Sequence, residues 1–399
     1  MQASSKSSPE TAARPSPAVL DVLRQLVGFA TVSSDSNLAL IDWVEAYLAG
    51  HGIAAQRVPS ACGHKSNLLA RVGPAVAGGI VLSGHTDVVP VSGQPWTSDP
   101  FELLERDGRV YGRGTCDMKG FLALGLALVP RMQELKRPIY LALSYDEEIG
   151  CLGAPLLIEQ LLQEPAPAAV IVGEPTKMGV VTAHKGIAYL RTRVTGHEAH
   201  SSLQHQGASA IMAAARLVAW LGEQQAANAA ASAGAEQSTA TVPEPPYTTL
   251  HCGLIEGGTA PNITAGHCEF TTDIRTVAGD DPTAYIAAYR QFADEAVLPS
   301  LRAINPKTAI EIELLANAPP FQADPRCPAV QLAQRLTGQN ETSAQPYAAE
   351  AGQFWSAGLP TIMCGPGSIE QAHQPNEYIE LAQLAAGEAM LLRLIAELS

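Results

Sequence analysis

IVLSGHTDVVP (Ile80–Pro90) opens on a short aliphatic run and turns abruptly, after Leu82, into small and polar residues. Three further segments repeat this figure: Ile139–Leu143, Val170–Val172 and Thr361–Cys364, each followed at once by polar residues or glycine. Runs this short read as buried strands. Helical spacing precedes and separates them. Apolar positions recur three and four apart over Pro17–Val27 and Asn37–Leu48, and further helices are expected over Phe121–Leu135 and Ala154–Gln163. Alternating strands and helices predict an α/β fold with a mostly parallel sheet covered on both faces. Ligands of such sheets sit beyond the carboxyl ends of the strands, where each aliphatic run gives way to polar residues.

After Val180 the pattern changes. A strand over Ile187–Val194, a helix over Ser209–Trp220, strands near Leu250–Ile255 and His267–Ile274, a helix over Pro282–Ala296 and a strand over Ala309–Leu315 follow in order. This is a strand-helix-strand-strand-helix-strand series. Within it, Gln225–Pro246 is rich in Ala, Ser, Thr and Pro and reads as a helix end running into a flexible loop. The first pattern resumes near Asn317, so the second unit is inserted rather than appended. The expected division is a flexible tail over 1–16, one domain over 17–182 and 316–399, and an inserted domain over 183–315.

The 399 residues exceed one ordinary core, which agrees with two domains. Twenty-five basic against 39 acidic side chains give a net charge of −14 without a basic stripe, which argues against a nucleic-acid partner. No uninterrupted apolar run approaches the roughly 18 residues of a membrane span. The seven cysteines are odd in number and scattered, with no C-x-x-C pair, a usage that fits reduced thiols in the cytoplasm.

Five loops carry residues suited to metal chemistry. In SGHTDVVP, His85 and Asp87 lie two apart at a strand end, where Asp87 either accepts the ring N–H of His85 and orients it toward a metal or merely caps the strand with it. GRGTCDMKG (Gly112–Gly120) places Asp117 in a glycine-rich loop ahead of a helix, as a ligand or as an N-cap; the spacing of a phosphate loop is absent. SYDEEIGCLGA (Ser144–Ala154) aligns Asp146, Glu147 and Glu148, three carboxylates that repel unless cations offset them, although a solvated acidic turn is equally consistent. VGEPT adds Glu174, and CGPGSIEQAHQPNEY (Cys364–Tyr378) adds His373. If Asp117 bridges two ions, each has three protein ligands and an open position, as catalytic zinc requires. Two such ions about 3.5–4 Å apart can activate water and polarise an amide carbonyl together.

H-x-D, G-R-G-x-x-D-M-K-G, D-E-E, G-E-P-T and the late histidine occur in an order that resembles the metallopeptidase M20 family of co-catalytic zinc aminoacylases and peptidases, over nearly the whole chain after the tail. The resemblance implies a catalytic domain holding two divalent ions, zinc foremost and cobalt as the alternative, and an inserted α+β domain of ferredoxin-like topology that forms a homodimer. It makes His85 and Glu174 ligands of one ion, Glu148 and His373 ligands of the other, Asp117 the bridge and Asp87 the partner of His85. Glu147 matches the general base. His200, in GHEAHSS, matches a histidine that stabilises the oxyanion, from its own or a partner subunit. Asn262 and Arg275 match positions that bind a substrate carboxylate, with a strand salt bridge as the competing reading of Arg275. Glu350 is read either as the group that binds the distal ammonium of ornithine or as a plain helix-terminal glutamate. The expected reaction is deacetylation of a small N-acyl amino acid, N2-acetyl-L-ornithine, to L-ornithine and acetate. Desuccinylation of succinyl-diaminopimelate, a broad aminoacylase, a dipeptidase and a non-catalytic metal-binding protein on the same fold stay as alternatives.

Overall fold

The computed structural model describes residues 13–234 and 241–399; most of the expected tail, and the middle of the Gln225–Pro246 segment, lie outside them. The large sheet is built on four strands whose every residue is buried: Ile139–Ser144, Ile80–His85, Ala169–Pro175 and Thr361–Gly365, in that spatial order and mutually parallel. Complete burial means that both faces are covered. Antiparallel strands flank this centre, Ser66–Val72 and Ala55–Pro59 on one side, Val180–His184 and Phe321–Gln322 on the other.

The helices follow the predicted spacing where the sequence lets them run. Pro17–Val27 is a helix with proline at its start and Val19, Leu20, Val22, Leu23, Leu26 and Val27 buried. The helix expected over Phe121–Leu135 is shorter: it covers Lys119–Ala127 and gives way to a 3-10 turn over Val129–Arg131, because Pro130 can neither donate a helical hydrogen bond nor clear the preceding turn.

The chain leaves the large sheet after His184 and builds a second, four-stranded antiparallel sheet. Its spatial order is Thr249–Gly257, His267–Arg275, Ile187–Thr195, Ala309–Ala318, which is the ferredoxin-like arrangement. Burial alternates along Ile187–Thr195 and His267–Arg275, so these strands cover one face with helices and leave the other partly open. One expectation fails here. The helix does not end near Trp220 but continues to Ala233. The helix end expected within Gln225–Pro246 therefore belongs to this same helix, whose alanine-rich composition is the best helix-forming composition there is. Tertiary contacts hold the added turns: Asn228 donates to the Thr248 carbonyl at 2.8 Å, and Gln225 accepts the Leu250 N–H at 2.9 Å.

A third, small antiparallel sheet joins Leu104–Arg106, Arg109–Tyr111 and Tyr378–Glu380. It lays the chain just after His373 against the start of the loop that carries Asp117. No helix among the described residues is long and apolar enough to cross a membrane.

His184, at the end of its strand, is fully buried and neutral. Its Nδ1 donates to the Lys185 carbonyl at 2.8 Å and its Nε2 accepts the Gly352 N–H at 3.0 Å. Burial pulls its pKa down from 6.5 to about 4. Between these values the unfolded chain binds a proton that the folded chain does not, so this contribution to stability is complete above pH 6.5 and is lost as pH falls toward 4. The loss is on the order of 3 kcal/mol. Urea unfolding of the wild type and of His184→Gln across this range should show the wild type losing more stability; parallel curves would contradict the assignment.

Candidate metal centre and active-site cleft

The five loops converge. His85 ends its strand, Glu147 and Glu148 follow the strand Ile139–Ser144, Glu174 is the penultimate residue of Ala169–Pro175, and His373 follows Thr361–Gly365. All lie at the carboxyl edge of the parallel centre, and Asp117 reaches them from the loop before its helix. Glycine is required before Glu174, since a Cβ on Gly173 would lie 2.0 Å from the Phe121 ring.

Two groups of ligand atoms form, each within 4.8 Å: His85, Asp117 and Glu174, and Asp117, Glu148 and His373. His85 Nε2 is 3.0 Å from Asp117 Oδ1, while His373 Nε2 is 2.9 Å from Glu148 Oε2 and 3.4 Å from Asp117 Oδ2. Asp117 therefore faces both groups, one oxygen to each. His85 Nδ1 lies 2.9 Å from the Asp87 backbone carbonyl, which only accepts, so Nδ1 carries the proton and Nε2 is the ligand atom. His373 takes a positive φ of 62°, a strained setting for a non-glycine residue that functional sites tolerate.

The electrostatics show what the cluster lacks. Burial, then the charge of neighbouring carboxylates, pushes Glu147 and Glu174 well above the usual carboxylate range. Burial and Asp117 push Glu148 up to about 7. Burial alone would raise Asp117 as well, but hydrogen bonds from His373 and His85 outweigh it and hold the carboxyl below its ordinary value. Glu174 Oε1 is buried without a partner. A set of convergent imidazole and carboxylate donors, with surplus negative charge and an orphaned oxygen, fits divalent cations, and the donor chemistry suits zinc, cobalt or manganese.

Several residues take other places than expected. The Asp87 carboxylate is 3.7 Å from His85 Nδ1 and instead accepts from Ser33 Oγ at 2.7 Å and from the backbone N–H groups of Glu147 and Glu148 at 3.2 and 3.3 Å. It is the anchor of the acidic turn, and its backbone carbonyl, not its carboxylate, orients His85. Asp146 is turned out of the cluster into an ion pair with Lys65. Glu350 does not line the cleft. It is 1 % exposed, beside Ser83, with Oε1 unpartnered, because the helix that it precedes is pinned inward through Gly352 and His184. Arg275 does line the cleft, aimed by Asp273 at 2.9 Å and by the Tyr189 hydroxyl at 3.0 Å. His200 and Asn262 are exposed neighbours, with the Ser201 N–H donating to the Asn262 carbonyl at 2.9 Å, and neither lines the cleft.

The sequence profile of peptidase family M20/M25/M40 matches residues 81–397. The chain belongs to peptidase family M20. An acetylornithine deacetylase of Myxococcus xanthus is 33% identical over 385 residues, covering 95% of this chain and 97% of the relative. Among solved M20 folds, the metallo-carboxypeptidase Sso-CP2 from Sulfolobus solfataricus superimposes with a TM-score of 0.75 at 18% identity, covering 96% of this chain and all of the other. The Bacillus subtilis YXEP protein, a dinuclear metal-binding peptidase of family M20, superimposes with a TM-score of 0.63 at 17% identity over 95% of this chain and 97% of its own.

Two features of this M20 chain escaped the sequence reading. Glu377, four residues after His373, is a buried clamp on the Asp117 loop: it pairs with buried Arg113 at 2.8 Å and accepts the N–H groups of Gly114, Cys116 and Asp117 at 3.0, 2.9 and 3.1 Å. It lies within the quoted Cys364–Tyr378 stretch, and only its spatial return to residue 117 sets it apart. Tyr347, in a segment with no motif, lines the cleft. Glu377→Gln replaces an acceptor oxygen by an amide that confronts N–H donors. Metal affinity, read by titration against a competing chelator, should fall roughly tenfold to a hundredfold, the usual effect of a lost ligand support; unchanged affinity would show the clamp to be dispensable.

Proposed function

We propose that the protein hydrolyses the amide bond of a small N-acyl amino acid, N2-acetyl-L-ornithine first among them, to release acetate and L-ornithine. The carrying observation is the pair of ligand groups that share Asp117 in one cleft with Glu147 and Arg275. Its acetylornithine-deacetylating relative, matched over nearly the full length of both chains, supports this choice of substrate. When bound, two divalent ions would polarise the acyl carbonyl and acidify the attacking water.

The protein's own groups supply the rest. Glu147 takes a proton from water and returns it to the departing amine. Arg275, preset by Asp273 and Tyr189, receives the substrate's α-carboxylate. His200 donates to the oxyanion. Its Nδ1 accepts the Ser202 N–H at 3.2 Å, which leaves Nε2 as the donor. The strand Ile187–Thr195 begins at the cleft and, at about 3.3 Å per residue, carries the chain roughly 26 Å away before His200. We therefore assign His200 and Asn262 to the cleft of a second copy, in a homodimer formed through the inserted domain. The exposed Leu254 and Ile255 on its edge strand, 72% and 55% accessible, support that interface. All seven cysteines are free thiols, which supports a reducing compartment, the cytoplasm.

A second reading rests on Glu350. With this carboxyl buried, the cleft lining offers no carboxylate outside the ligand groups and Glu147 for a distal ammonium. That favours an N-acyl amino acid with a neutral side chain. Amine release from N2-acetyl-L-ornithine, N-succinyl-diaminopimelate and N-acetyl-methionine, with a chelator control, separates the two. Chelator-sensitive turnover of acetylornithine above the others is expected, and preference for acetyl-methionine would establish the second reading.

Glu147→Gln should abolish turnover and retain two metal ions per chain; undiminished turnover would remove Glu147 from the mechanism. Mixing Glu147→Gln with His200→Ala, each inactive alone, should restore about a quarter of wild-type activity on subunit exchange, since half the dimers then carry one complete site. No restoration would place His200 in its own chain's cleft or outside the reaction.

A further inference from the structure

Tyr347 stands between two fixed points. The strand Thr342–Gln345 pairs with Val180–His184 up to Gln345, and the helix beginning at Ala351 is held by the Gly352 N–H on His184 Nε2. The tyrosine ring packs against the main core, and its edge lines the cleft with Asp117, Glu147, Glu148, Glu174 and His373. Its hydroxyl is buried and has no partner. A buried donor left unpaired is costly, and in a binding cleft it marks a place where a ligand atom completes the bond.

Most other donors lining the cleft have partners within the protein, and Arg275 keeps Nη1 for the substrate carboxylate. The Cys151 thiol donates to Glu147 Oε1 at 3.4 Å, the Arg275 Nη2 donates to the Tyr189 hydroxyl at 3.0 Å and its Nε to Asp273, and His373 faces Glu148. This chain's own His200 does not line its cleft, and in the proposed dimer the second copy's His200 is the other donor to the oxyanion. Burial raises the phenol above its ordinary value, so the hydroxyl keeps its proton at neutral pH and remains a donor. The acyl carbonyl must lie between Glu147 and the ligand groups for water to reach it, and Tyr347 borders that space.

We propose that Tyr347 is a further catalytic residue, whose hydroxyl donates a hydrogen bond to the acyl oxygen of the substrate as that oxygen becomes an oxyanion. The inference rests on the amide-hydrolase reading. Water oxygen bonds to the acyl carbon, the carbonyl π pair moves to oxygen, and the C–N bond then breaks with the Glu147-held proton passing to nitrogen. The tyrosine proton stays on tyrosine throughout. A donor placed in this way strengthens its bond only as charge develops, so it acts on the transition state rather than on substrate binding.

Tyr347→Phe removes the hydroxyl and keeps the ring. On whichever acyl-amino acid the metal-loaded wild type hydrolyses, kcat should fall about a hundredfold with KM nearly unchanged, the scale of one lost oxyanion donor. By calorimetry, affinity for a phosphinate analogue of the tetrahedral state should fall by a similar factor, while affinity for the free product amino acid, metal content and Tm stay at wild-type values. Equal kcat and equal phosphinate affinity in the two proteins would overturn the proposal alone. So would loss of metal from the variant, which would make Tyr347 a support of Glu174. A wild type that hydrolyses no acyl-amino acid and binds no phosphinate would overturn the amide-hydrolase reading, and this proposal with it.

Discussion

Asp117, Glu147, Glu148 and Glu174 meet at the edge of one sheet, and only two imidazoles stand among them. Carboxylates brought together in a poorly solvated place repel, and the protein answers by protonation or by admitting cations. The surrounding polar structure restrains their chains so that they cannot move apart. Asp87 holds the turn bearing Glu147 and Glu148 by its backbone, Glu377 holds the loop bearing Asp117 by three N–H groups, and the Asp87 carbonyl sets the ring of His85. Each of these anchors is a buried acceptor, the two carboxylates working on backbone N–H groups and the Asp87 carbonyl on the His85 ring N–H, an arrangement that leaves the candidate ligand oxygens themselves free.

The inserted domain is attached to this centre at close quarters. Gly150, three residues beyond Glu147, is pressed so closely on Ala316 that a Cβ there would lie 2.2 Å from the alanine Cβ. Ile187 and Tyr189, at the start of the first inserted strand, line the cleft, and Cys151 packs in one small apolar cluster with Ile187 and Ala318. The base, the cleft wall and both crossings between the two sheets thus share one packed junction. The same strand that begins there ends far from it, and the proposed assignment of His200 to a neighbouring cleft rests on that separation.

Much of this was legible in the chain. Short aliphatic runs ending in Gly-His, Asp-Glu-Glu, Gly-Glu-Pro and Gly-Pro-Gly placed the ligands at strand ends, since a fully buried parallel strand has no other place for a charged side chain. The helix of Pro17–Val27 follows its spacing to both ends. Readings that failed did so where local composition and tertiary contact disagree. The helix bound expected near Trp220 moves to Ala233, because Gln225 and Asn228 find partners on the adjoining strand and its lead-in. Of the two readings of Glu350, the helix-terminal one matches its place before Ala351, and the packing of that helix draws the carboxyl under Ser83 rather than into the cleft.

By itself the sequence determined the α/β class, the βαββαβ series and the strand-end places of the candidate metal-binding residues, because periodicity and strand-end chemistry are local properties, while the choice of Glu148 from its acidic turn came with the family resemblance. Tertiary structure alone decided which atoms meet. That Asp117 faces two groups, that Asp146 turns away to Lys65, that Glu377 returns across the small sheet to residue 117 and that Tyr347 borders the reaction space all depend on contacts between distant segments. Such contacts follow from how the helices and sheets pack, and no window of neighbouring residues contains them.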